Sequence, residues 1–206
     1  MANAKPSSYP TTAAQKIVDE LERESIAVNI LVNNAGLIAY GNFYETDLAR
    51  ELHMIQVNLV TLTLLTKLLL GDMVRQRYGR ILNVGSTGSF NPAPLNAVYC
   101  ATKAYVLSLS EAIAEELDGS GVTVTALCPG VTKTELQKRR QMNDVEWLRY
   151  GAMNADTVTE IGYRALMAGK RVVVPGLYNQ LQVLVVRFLL RIMVVELAKS
   201  MLQRAK

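Results

Sequence analysis

"GRILNVGS", residues 79–86, is an apolar run that ends on a glycine and a serine. It is followed by "NAVYCATKAYVLSLSEAIAEELDG" (96–119) and then "GVTVTALCPG" (121–130). The first and third stretches are short, β-branched and closed by turn residues, so they are expected to be strands. The middle stretch is too long for a strand and carries apolar residues every three or four positions, with Gly119 as its stop, so it is expected to be a helix. Strand, helix and strand in that order make a crossover between parallel neighbours.

The alternation continues on both sides. "VNILVNN" (28–34) reads as another strand of the kind buried in a parallel sheet, and "TAAQKIVDELERES" before it as a three-turn helix opened by the capping pattern Thr12-x-x-Gln15. Residues 44–76 contain one or two long helices. Residues 131–170 read as polar and helical without a clear strand, "KRVVVP" as a last short strand, and 177–206 as a C-terminal amphipathic helix. Residues 1–11 form a polar arm with two prolines. The expected class is α/β, with one domain over 1–206 built on a doubly wound parallel sheet.

Composition narrows the function. Half the residues are hydrophobic and 19% are charged, which excludes disorder. The net charge of +4 resides entirely in 176–206: Arg187, Arg191, Lys199, Arg204 and Lys206 stand there against Glu196, and the rest of the chain balances. No groove-like spread of basic residues with stacking aromatics accompanies it, so nucleic acid is not an expected partner. Two separated cysteines, Cys100 and Cys128, and a single histidine, His53, offer no metal site. Reduced structural thiols and an N-terminus without an apolar signal core point to the cytoplasm.

Reactive groups in an open parallel sheet gather at the carboxyl ends of the strands. Here those ends read Asn33-Asn34-Ala35-Gly36, Gly85-Ser86-Thr87-Gly88 and Pro129-Gly130. Tyr99 and Lys103 share one helix face at i and i+4. A phenol with a pKa of about 10 becomes a workable general acid/base when a neighbouring cation favours phenolate. A hydrolase nucleophile elbow fits poorly, because Val84 occupies the first glycine position and His53 lies in a helix.

Asn33-Asn34-Ala35-Gly36, Asn58 in the long helix, Ser86, Tyr99-x-x-x-Lys103 and Pro129-Gly130-x-x-x-Thr134 occur in the order and spacing of the short-chain dehydrogenase/reductase family. From about Lys16 onward the chain resembles that family. The resemblance implies a Rossmann-type fold, NAD or NADP as cofactor, and interconversion of a secondary alcohol and a ketone. It implies that Tyr99 exchanges the proton with the substrate oxygen, Ser86 binds that oxygen, and Lys103 lowers the phenol pKa and holds the nicotinamide ribose. Asn58 is then part of a proton relay. Asn33, Ala35 and Gly36 lie near the nucleotide, and Pro129, Gly130 and Thr134 at its nicotinamide end. It also implies a small carbonyl or alcohol substrate and a homo-oligomer.

The chain departs from the family in one respect. No glycine precedes Gly36, so the T-G-x-x-x-G-x-G loop that holds the pyrophosphate has no counterpart, and neither do the family's first strands. The expected sheet therefore lacks those strands, and "VNILVNN" becomes an edge. The shortened form suggests an alternative function: a non-catalytic relative that interacts through this edge and the C-terminal helix. The basic C-terminal helix is expected to pack on its own domain or a partner subunit, or to touch a membrane surface and serve a lipid-like substrate.

Overall fold

The computed structural model describes residues 13–133 and 152–202. Four strands, β1 (Ile30–Asn33), β2 (Gly79–Val84), β3 (Val122–Leu127) and β6 (Val172–Val173), pair in that order, all parallel. The register runs from Ile30 opposite Arg80 to Asn33 opposite Asn83, and from Gly79 opposite Val122 to Val84 opposite Leu127. The "GRILNVGS" strand thus sits centrally, with Ile81, Leu82 and Asn83 all buried.

Helices cover both faces. On one side lie α1 (Ala13–Arg23), α3 (Leu62–Gln76) and α4 (Ala97–Glu116). There Met73, Ile81, Leu117, Val122 and Val124 form a buried core, with Leu31 packed at its margin. On the other side, α5 (Ala155–Met167) brings Val158 and Leu166 onto Leu82 and Leu127. α2 (Leu48–Ile55) runs into α3 through a π-helical segment, Gln56–Thr61. The run Leu48–Gln76 is long and apolar enough to cross a bilayer by composition. Its buried stripe of Met54, Asn58, Leu62, Thr66 and Met73 instead faces the domain interior.

Several expectations change. The span 131–170 reads as polar and helical with no clear strand, yet β4 (Thr132–Lys133) pairs in parallel with β5 (Met153–Asn154); two-residue strands carry no periodic signal. The tail expected as one helix is two, α6 (Leu177–Val186) and α7 (Arg191–Leu202), so its basic residues do not share one continuous helix face. β1 is an edge among the described residues, as expected of a chain without the first strands. It is not buried on both faces: Ile30 and Val32 are exposed, because α5 packs against the four-stranded sheet mainly at β2 and β3. The arm 1–11, the capping residue Thr12 and Thr134 lie outside the described residues.

One buried polar chain ties the layers together. Asn33 Nδ2 donates to Asn83 Oδ1 (2.8 Å) and to Thr66 Oγ1 (3.1 Å), and Asn83 Nδ2 donates to Ser110 Oγ (2.9 Å). Ser110 Oγ in turn donates to Val106 O at 2.6 Å. Two strands and two helices are joined by groups that, buried, would each be costly unpaired. Asn83→Ala removes the central member and should lower the unfolding free energy in urea by about 2–4 kcal/mol.

The two cysteines are free and buried. Burial pushes both thiols up from 9.0 to about 11, partly offset by hydrogen bonds and, at Cys128, by the Lys103 charge. A raised folded-state pKa means that their contribution is complete below the unfolded value near 9 and is lost as pH climbs through about 11. Denaturant midpoints should therefore fall over that window in the wild type, and fall less in Cys100→Ala/Cys128→Ala.

Candidate active site

The carboxyl ends of β1, β2 and β3 open into a cavity of about 730 Å³. Its floor is the Gly85–Gly88 loop and Pro129–Gly130, one wall is Asn34 and Gly36–Ile38, and Tyr99, Cys100 and Lys103 project from α4. The roof is mostly apolar and comes from α6, α7 and their connection, through Leu181, Val185, Leu189, Val194 and Leu197, with Tyr178 and Gln182 beside them.

Ser86 leaves β2 with an extended backbone (φ −167°, ψ 163°) and caps the short turn Thr87–Ser89. Its Oγ accepts from Gly88 N–H at 3.1 Å, while its own N–H donates to Ser89 Oγ at 3.1 Å. A hydroxyl that accepts one bond keeps its proton to donate. The loop is anchored to the β3 end by Thr87 N–H donating to Pro129 O at 2.9 Å.

Lys103 is 6% exposed, and its Nζ donates to Val84 O at 2.7 Å, at the very end of β2. The ammonium lies 5.8 Å from the centroid of the Tyr99 ring. A Cβ built on Gly88 would stand 3.5 Å from Ser86 Oγ and 4.0 Å from Tyr99 Cε1, so serine and phenol flank one small space. The geometry brings Ser86, Tyr99 and Lys103 together around the cavity.

Asn58 lies just below. Its Oδ1 accepts from Leu37 N–H (2.8 Å), and its Nδ2 donates to Leu37 O (3.0 Å) and Thr102 Oγ1 (3.0 Å). The π-helical segment that carries it turns this amide inward, a use such segments often have at functional sites. A Cβ on Gly36 would meet both Asn58 Oδ1 and Lys103 Nζ at 3.5 Å, so bare backbone separates the amide from the ammonium.

Of the other expected residues, Gly36, Pro129 and Gly130 line the cavity. Asn33 and Ala35 are not among its lining residues, and the Asn33 side chain is taken up in the buried chain with Asn83. Asn34 occupies the position beside the cleft instead. Gly130 has a second constraint: a Cβ there would fall 2.3–2.7 Å from the buried Asn179 side chain of α6. The roof helix is thus seated directly on the Pro129–Gly130 turn.

Asn96 was not anticipated. It stands at the N-cap of α4 yet makes no side-chain cap bond; it is buried, lines the cavity, and its Oδ1 has no hydrogen-bond partner among the described residues. Its sequence signal was an amide immediately before the helical run that carries Tyr99, the position of an N-cap. The roof residues had no such signal, since they come from the far end of the chain.

Comparison with known proteins agrees with this arrangement. Residues 8–144 match the family model for short chain dehydrogenase. The oxidoreductase UcpA of Escherichia coli K12 is 35% identical over 138 residues, 65% of this chain and 52% of that protein. The 3-oxoacyl-[acyl-carrier-protein] reductase FabG of Haemophilus influenzae is 30% identical over 122 residues, 59% of this chain and 50% of that protein. The chain thus spans about half the length of the curated relatives it matches. A short-chain dehydrogenase of Sphingobium yanoikuyae, solved in complex with NADPH, superposes with a TM-score of 0.72 at 29% identity, covering 84% of this chain and 68% of that one. With the matching sequence running from the first helix past the third parallel strand, the chain belongs to the short-chain dehydrogenase family.

Proposed function

We propose that this domain interconverts a secondary alcohol and a ketone with NAD or NADP, using Tyr99 as general acid/base. The observation that carries the proposal is the convergence of Ser86, Tyr99 and the buried Lys103 on the cavity at the carboxyl end of β2. The solved relatives held with NADPH or NADH support a nicotinamide cofactor.

The residues present fit the nicotinamide-ribose half of such a cofactor. Gly36 leaves the wall beside Lys103 without a side chain, the Pro129–Gly130 turn offers bare backbone, and the ammonium is a donor for ribose hydroxyls. Thr134 is proposed to join them. Ala35 and Asn33 support this wall, Asn33 through its bond to Asn83. A glycine-rich pyrophosphate cradle has no counterpart among the described residues. When bound, the reduced nicotinamide supplies the hydride.

Ser86 keeps its proton and donates a hydrogen bond from its hydroxyl to the carbonyl oxygen, stabilising the charge that develops there. Tyr99 delivers its phenolic proton to the same oxygen, giving the alcohol, and takes it back in the oxidative direction. Lys103, held by Val84 O, stabilises the phenolate left behind. Asn58 anchors Leu37 beside Lys103 and continues the route by which that site regains its proton from solvent.

The substrate we propose is lipid-like: the side chains that α6, α7 and their connection present to the cavity are mostly aliphatic, interrupted by Tyr178 and Gln182. The buried free thiols suit the reducing cytoplasm, and a homo-oligomer is the proposed assembly.

Tyr99→Phe should lower kcat by about 10²–10⁴-fold while leaving NADH or NADPH affinity nearly unchanged in a fluorescence titration. Unaltered turnover in this variant would refute the role of the phenol. Absence of saturable nucleotide binding at millimolar concentration would remove the enzyme reading for this chain and favour an interaction protein. Along a series of methyl ketones from butanone to decanone, kcat/KM should rise by about fourfold for each methylene that enters the roofed cavity, until the cavity fills. Leu181→Ser should flatten that slope.

A further inference from the structure

We infer that the corner between α6 and α7, Arg187 to Met193, is a docking site for an anionic lipid surface. α6 ends at Val186 and α7 begins at Arg191, and in the chain between them Leu189 faces the cavity while Phe188 and Leu190 stand in solvent. Phe188 is 82% exposed, Leu190 70% and Ile192 68%. Leu177, Leu181, Leu184 and Phe188 fall at helical spacing and are all exposed, so the apolar surface runs back along α6 from the corner.

Charge selects the occupant. Arg187 and Arg191 are exposed and bracket Phe188 and Leu190. Residues 176–206 carry the whole net charge of the chain, +4. A second copy docking through the same face would set Arg187 and Arg191 against their own counterparts. A bilayer leaflet with acidic headgroups meets the arginines with phosphates and the corner with acyl chains. The ten residues of α6 are too few to span a membrane, so the corner lies in the interface.

The position of the corner gives the docking a use. The helices that meet the lipid also line the cavity that holds Tyr99, so docking would bring that cavity close to the acyl chains that would supply a lipid-like ketone or alcohol. Only this delivery route rests on the proposed reaction. The docking rests on exposure and charge, and its test reads no turnover, so failure of one reading leaves the other standing.

The test is co-sedimentation of the full 206-residue chain with vesicles of phosphatidylcholine alone and with about 30% phosphatidylserine. The wild type should pellet with the acidic vesicles and be released as salt is raised. Phe188→Asp/Leu190→Asp and Arg187→Gln/Arg191→Gln should each weaken that partition by about tenfold or more. All these side chains are exposed, so melting temperatures should hold. Phe188→Trp reads insertion separately: its emission should shift to the blue and be quenched by brominated acyl chains. A wild type that stays in the supernatant, variants that bind like the wild type, or a Phe188→Trp emission indifferent to vesicles would overturn the inference. So would variants that convert an oligomer to monomers with vesicle binding unchanged, since the face would then join copies of the chain.

Discussion

The hydrogen bond from Lys103 Nζ to Val84 O, 2.7 Å long, is the contact on which the rest of the site depends. Burying an ammonium is costly, and a charge-assisted bond to a carbonyl offsets that cost only where the acceptor is held rigidly. Val84 is rigid because it closes a central strand bonded on both sides. The bond therefore fixes the second turn of α4 against the end of β2. One turn earlier, Tyr99 is carried to the cavity rim, and one residue beyond Gly85, Ser86 faces it. The groups proposed to react are placed by the sheet, with the loops serving as connections between fixed points.

Much of this was legible in the sequence, for physical reasons that can be separated. β2, β3 and α4 carry strong periodic signals closed by glycine, and the pair at Tyr99 and Lys103 needs only helix geometry to become a site. Other features leave no local trace. The π-helical segment at Asn58 continues an apolar spacing of three and four, and the extra backbone residue is decided by how the amide fits against Leu37 and Thr102. The break between α6 and α7 contains no glycine or proline, so the tail reads as continuous. Asn33 and Asn34 look equivalent in sequence, yet the strand's alternation sends the first into the protein and leaves the second beside the cleft. Gly130 is informative only after the fact, because Asn179, nearly fifty residues later, fills the space its Cβ would need.

The same alternation explains how an edge strand with a half-bare surface keeps its place. Ile30 and Val32 are exposed beyond the strands that α5 mainly covers, so burial discriminates weakly between the observed register of β1 and a slip by one residue. Apolar side chains would be acceptable on either face. The amide of Asn33 would not: in the observed register it finds Asn83 and Thr66, whereas a slipped strand would leave Asn83 with its acceptor unpaired in a completely buried position. A polar contact thus supplies the specificity that hydrophobic burial does not. The consequence reaches the cavity, because β1 fixes where Asn34 and Gly36 begin, and Gly36 passes between Asn58 and Lys103.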